Sequence, residues 1–360
     1  MRKFILTLMA SLLSCSAVSA FWPEATDSSL EVGVGYRRDH LKWKTHVDTF
    51  GSSYSSDESG SVPFGLSSDL KWKNLQIWQI EGRGKYVTCD NIYLRASGDY
   101  GWIYHGKNTD SDHVRFESGS PIEFSRSHAR TRGHVYDADV AVGYQFKMCD
   151  DSLSITPLVG YSWKGQHLRD RHLRIDSVSD GSYSDDIVFA AAPNEARSSY
   201  YSYSDYSYDY SSYSDYSYSY SGRLHSKYHT RWNGPFIGFD LDYRLMCDWT
   251  LFLDYEFHWA CYHAKARWNL RPDLPDGFHH RARNAYGHVV DFGVKWDFCD
   301  CWTLALKGKW QYFEARRGRD RALIVDDSFG DVKTKCYVSI PLRKIEWCSG
   351  SVSVDLGMVF

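Results

Sequence analysis

The stretch that most constrains this chain runs from Trp232 to Trp259, WNGPFIGFDLDYRLMCDWTLFLDYEFHW. It holds two runs of strict alternation joined by a tight turn. In the first, Ile237, Phe239, Leu241, Tyr243 and Leu245 share one parity, and Gly238, Asp240, Asp242 and Arg244 share the other. In the second, Trp249, Leu251, Leu253, Tyr255, Phe257 and Trp259 oppose Thr250, Asp254, Glu256 and His258. A period of two means strands, because successive side chains leave opposite faces of the backbone. One face is continuously apolar and ends in aromatics, while the other carries full charges. Each run is about as long as a tilted strand needs to cross a bilayer. Repetition of this pattern along the chain predicts an all-β fold, a transmembrane antiparallel barrel of about ten strands with a polar, charged interior.

Composition agrees. The 360 residues carry a formal net charge of −3, so charge alone calls for neither nucleic acid nor a polybasic membrane partner. A mean hydropathy of −0.49 and the lack of a long apolar run exclude a helical membrane protein. The 27 Tyr and 14 Trp suit the aromatic girdles at the two faces of a bilayer.

The N-terminus, MRKFILTLMASLLSCSAVSA, has a basic start, a short apolar segment and small residues before Phe21. This reads as a signal peptide over residues 1–20, leaving 21–360 as the barrel. Leu12-Leu13-Ser14-Cys15 also fits a lipobox, which would place a lipid on Cys15 instead. Cys89, Cys149, Cys247, Cys299 and Cys301 fall in the turns TCDN, MCDD, MCDW and FCDC, each between two amphipathic runs. All four turns therefore belong to one rim. In an oxidising compartment their thiols can pair across the rim or with neighbouring envelope proteins, and spacing does not choose between these. Cys336 and Cys348 lie elsewhere and are available to pair with each other.

In chain order, alternation predicts strands over about 30–45, 70–87, 92–105, 134–148 and 153–167. The opening hairpin follows, then strands over about 286–298, 302–316 and 351–360. Ten is an even number, as bacterial single-chain barrels require. Short turns then face the periplasm and long loops the outside. Asp110, Asp112 and His113 are expected in one loop, and Asp273, Asp276, His279 and His280 in another. Residues 198–222, SYYSYSDYSYDYSSYSDYSYSYSG after Ser198, form a low-complexity Tyr/Ser/Asp insertion without core-forming aliphatics. It is expected to be an extracellular spacer or a surface that contacts a host or environmental ligand, since Tyr joins a large ring to a polar tip. The chain ends on Phe360, in phase with the lipid-facing residues.

DLKWKN, GDYGW, YDADVAVGYQF, GPFIGFDLDYRL and the last two hairpin strands occur in the order seen in omptins, the ten-stranded outer-membrane barrels that the chain resembles. It also resembles the barrel proteins of amoeba-associated chlamydial relatives. The omptin resemblance implies an outer-membrane location in a Gram-negative-type bacterium, with lipopolysaccharide as an accessory ligand. It also implies an endopeptidase site in which an Asp pair and an Asp-His pair activate water, cutting beside basic residues. Asp110 and Asp112 stand where the first pair belongs, though His113 follows them instead of Trp. The second pair is missing from YHAKARWNLR; Asp170-Arg171-His172 has its spacing in another place, and Asp276 and His279 the wrong spacing. A fold does not carry an activity without its site. The sequence therefore favours a barrel with a structural, interaction or narrow porin-like channel role. The alternative is an omptin-type endopeptidase using Asp110 and Asp112. The inward charges, among them Glu81, Arg83, Arg95, Asp99, Asp137 and Asp139, are expected to fill a narrow lumen as paired groups. No cofactor is expected, and His279-His280 lacks a carboxylate at ligand spacing, so no metal either.

Overall fold

The computed structural model describes residues 27–48, 63–116, 120–178, 224–270, 274–299, 301–326 and 334–360. The expected signal segment, Asp273, Asp300 and the Tyr/Ser insertion lie outside these. Eleven antiparallel segments run β1 (Ser29–Asp48), β2 (Pro63–Val87), β3 (Ile92–Phe116), β4 (Ile122–Tyr144) and β5 (Phe146–Met148), then β6 (Leu153–Val178) and β7 (Ser226–Met246). The last four are β8 (Trp249–Arg267), β9 (Phe278–Cys299), β10 (Trp302–Asp326) and β11 (Thr334–Val359). The short β5 continues β4 past Gln145, so the wall has ten staves. Their order is β4-β3-β2-β1-β11-β10-β9-β8-β7-β6, and pairing of β4 with β6 closes the ring. Closure leaves no sheet edge to desolvate, the condition for crossing a bilayer with strands.

The parity read from sequence is the parity observed. Val34, Trp78, Tyr100, Val140, Val159, Ile237, Leu251, Phe292, Leu306 and Val354 stand exposed on the outer face. Glu81, Arg95, Asp99, Asp137, Asp139, Asp240, Asp254 and Glu256 are buried inside. Arg244 is an exception, exposed near the turn end of β7. All four Cys-Asp turns lie at the end of the barrel where β1 begins and β11 finishes, and there Phe360 donates its amide to the Ser28 carbonyl (3.0 Å). The first turn shows why TCDN suits a tight connection. The Asn91 amide donates to the Thr88 carbonyl (2.9 Å), and Asn91 itself takes φ 62°, a left-handed conformation that Asn tolerates.

The staves are longer than their sequence pattern implies: β2, β3 and β10 have 25 residues each and β6 and β11 have 26. Above the belt of lipid-facing residues the strands continue, on β2 and β3 through a bulge that shifts the parity by one, and polarity inverts on much of the wall. Leu41, Trp43, Leu70 and Trp72 now point inward and are buried, while Lys42, Lys44 and Lys73 point outward. Outside the membrane a barrel wall meets water, so the apolar side chains turn to the lumen. Two expectations fall with this. Asp110, Asp112 and His113 sit on β3, and His279 and His280 on β9, rather than in loops. Cys336 and Cys348 both belong to β11, twelve residues apart. At about 3.3 Å per residue that is roughly 40 Å, so they cannot pair. Among the described residues every cysteine is a free thiol.

Candidate functional site

A barrel acts through its lumen, its rims or its outer wall, and the lumen here has two layers. At membrane depth, side chains reach across it. Arg83 on β2 pairs with Asp254 on β8 and with Asp240 on β7 (2.9 Å to the latter). Arg95 on β3 holds Asp240 (2.7 Å), Asp139 (3.3 Å) and Glu256. Since β2 and β8 stand five staves apart in a ring of ten, the Arg83–Asp254 pair spans the full width, and Arg95 reaches three and four staves around to β7 and β8. Arg37 grips Asp39 through Nε and Nη2 (2.8 and 3.0 Å) and reaches Asp137 (3.0 Å) and Asp99 (3.2 Å) through Nη1. Lys307 joins Glu81 and Asp355, and Lys295 joins Glu31 (2.6 Å). Gly33 makes room for this packing, since a Cβ there would come within 1.7 Å of Asp355 Oδ1. Buried charges persist only when paired and hydrogen-bonded, and this layer meets that condition across the lumen.

The layer above is aromatic and aliphatic. Trp232 packs on Tyr262 (ring centroids 4.4 Å apart), and Phe313 stacks on Trp347 (5.2 Å). Trp72 stacks on Tyr228 (4.7 Å), and Leu41, Leu75, Ile77, Leu168, Leu342 and Ile345 complete one buried cluster with them. Trp347 ties the layers together by donating Nε1–H to Asp39 (3.1 Å).

The expected catalytic residues fall within or beside this plug. Asp110 and Asp112 are 4% and 1% exposed, and Ser68 Oγ lies 3.4 Å from Asp110. On β8, where the resemblance asks for Asp-x-His, the inward residues are Tyr262, Ala264 and Ala266. Asp170 and His172 do not form the pair either. Asp170 is buried, but His172 takes φ 58° and is exposed. Asp276 is exposed in the turn before β9, His279 is exposed, and His280 is buried.

Two polar groups inside the plug escape sequence reading because their partners come from other staves. Asp170 accepts hydrogen bonds from Asn108 Nδ2 (2.6 Å), Thr131 Oγ1 (2.6 Å) and Trp72 Nε1 (3.2 Å). It lies seven residues beyond the lipid-facing Trp163, above the membrane belt. Burial there pushes its carboxyl up to about 6, and the three hydrogen bonds pull against that. On the adjoining stave, Tyr228 OH contacts His280 Nδ1 (2.8 Å) and Tyr262 OH (2.6 Å), while His280 Nε2 lies 3.4 Å from Asp320. This is an Asp-His pair on neighbouring staves, but the ring of Trp43 packs on His280 (5.0 Å) and Tyr228 occupies its other nitrogen. His280 is 3% exposed and its Nε2 is buried, so the pair is not open to a peptide at the surface. Among the described residues no group of three or more His, Cys, Asp or Glu side chains is placed to hold a metal.

Among solved structures, the chain superposes on the outer membrane protease OmpT from Escherichia coli with a TM-score of 0.62. The two share 13% identity over 94% of this chain and 99% of that one. The translocator domain of the autotransporter NalP from Neisseria meningitidis gives a TM-score of 0.33 at 10% identity, over 98% and 96% of the two chains. At such identities the OmpT likeness is one of fold, and it bears out the omptin-like barrel. No curated protein matches the sequence significantly. The sequence profile of the Protochlamydia outer membrane proteins, Pom, matches residues 31–360, nearly all of the barrel. The ten-stave wall, its lipid-facing belt and this match together make the chain an outer-membrane β-barrel protein of the Protochlamydia outer membrane protein family.

Proposed function

We propose that this barrel is sealed and acts through its surfaces, as a structural and interaction protein of the outer membrane, rather than as a channel or a protease. The observation that carries this reading is the lumen itself. Arg83 and Arg95 bridge opposite walls, and a buried aromatic layer lies above them. A diffusion pore needs a continuous water path, and an omptin-type cleft needs an Asp-His pair open to substrate. Purified protein in planar bilayers should give no discrete conductance steps. It should also leave a dibasic fluorogenic peptide uncut when lipopolysaccharide is supplied. Steady conductance, or cleavage abolished by Asp110→Ala, would overturn the proposal.

The rim thiols support the structural half of this reading. Cys89, Cys149, Cys247, Cys299 and Cys301 are all exposed at the end of the barrel with short turns, the periplasmic end in barrels of this class. None is bonded within the chain among the described residues, so oxidation is free to link them to neighbouring envelope proteins. Non-reducing gels of whole envelopes should place the protein in high-mass species that collapse with thiol. A monomer band whose rim thiols all accept maleimide would remove the crosslinking role. The Tyr/Ser insertion at residues 198–222 is the proposed contact with host or environmental ligands.

A further inference from the structure

The outer wall above the lipid belt carries a second feature that neither the lumen nor the rim explains. Between β7 and β11 it forms a concavity of about 1120 Å³ lined by seven Lys/Arg side chains and three exposed or half-exposed His, with Asp276 the sole acid in its lining. The register sets like charges against each other. Arg281 on β9 stands directly between Arg319 on β10 and His263 on β8, and His263 in turn faces Arg231 on β7. Like charges opposite one another on neighbouring strands destabilise a sheet. Elsewhere on this wall the sequence relieves such repulsion. Lys42 pairs with Glu346, Lys44 with Asp69 (3.4 Å), and Lys344 with Glu314 and Glu346. Among the described residues none of the seven cations in the concavity has an ion pair, so a bound anion is what would relieve them.

We infer that this groove binds an extended polyanionic polysaccharide, sulfated or phosphorylated, presented from the aqueous side. Height argues for the aqueous side. The exposed belt residues below it are Trp259 and Trp310, and the cations lie three to eleven residues further along the strands. At about 3.4 Å per residue and a tilt of about 40°, that is roughly 8–29 Å above the apolar belt. A phospholipid headgroup layer is only about 5–7 Å deep on each side. The charges are spread along the strands rather than gathered at one point, which suits a chain of anions better than one phosphate. Tyr337 on β11, 84% exposed, supplies a bare ring in the same lining, a flat apolar surface for a sugar face. A single ring is a poor match for single-stranded nucleic acid, which is held by successive aromatic platforms.

The test uses full-length protein in nanodiscs of zwitterionic lipid, with heparin as the probe and calorimetry as the readout. Binding should fall on the order of a hundredfold between 50 and 200 mM salt, as expected for release of about four counterions. Arg281→Glu with Arg319→Glu should weaken it at least tenfold, and the milder Arg281→Gln with Arg319→Gln severalfold. Lys42→Glu with Lys44→Glu, on the paired side of the barrel, should change it less than twofold. No heparin binding at 50 mM salt, or equal losses from the two reversed pairs, would overturn the inference. So would displacement of heparin at equal charge by a single-stranded oligonucleotide or by phosphatidylglycerol vesicles. None of these readouts depends on whether the lumen conducts.

Discussion

Asp170 offers a direct test of the plug, because it is a carboxylate buried with three hydrogen-bond donors and no cation among its described partners. Its carboxyl is raised from 3.8 to about 6, chiefly by burial. A group whose folded pKa exceeds its unfolded one binds more protons in the folded state. Its contribution is therefore fully present below about pH 4 and is lost as pH rises through about 6. Two pKa units correspond to about 3 kcal/mol. Asp170→Asn removes the titration while keeping the shape, though its amide must then face donors from Asn108 or Trp72. The absolute stability at one pH thus mixes two effects, but the pH slope isolates one. Urea unfolding of detergent-refolded protein, followed by tryptophan fluorescence at intervals from pH 4 to 7.5, should show the gap between wild type and variant shifting by about 3 kcal/mol in the variant's favour. Parallel profiles would mean that Asp170 does not titrate in this window and that the plug is wetter than its packing implies.

Arg95→Leu leaves Asp139, Asp240 and Glu256 without the guanidinium that holds them, and should cost about 3–5 kcal/mol in the same unfolding assay. Trp232→Ala empties the centre of the aromatic layer and should cost about 3–5 kcal/mol. Because the Arg83 and Arg95 bridges remain, that variant should still give no conductance steps in planar bilayers; a channel would place the seal in the plug alone.

Alternation, clearest between Trp232 and Trp259 and repeated along the chain, was enough to read strands, their lipid face, an even-numbered barrel and the charged lumen, because a period of two is a local property of the chain. The Cys-Asp turns were legible for the same reason: each is four residues long and sits between two such runs. The reading stopped at the aromatic belt. Beyond Tyr104 the outward residues of β3, His105 and Lys107, turn polar, and on β1 Leu41 and Trp43 take the parity that Arg37 and Asp39 held below. Polarity reverses on β1, and on β3 a bulge between Ile103 and Lys107 also breaks the period, so a search for apolar-out strands ends there and mistakes Asp110 and Asp112 for loop residues. What fills the lumen was decided only in three dimensions. Asp170 draws donors from β2, β3 and β4, and Arg83 finds carboxylates on β7 and β8, pairings set by stagger and ring closure. Alternation reports which face a side chain takes; only the closed ring decides what it meets there.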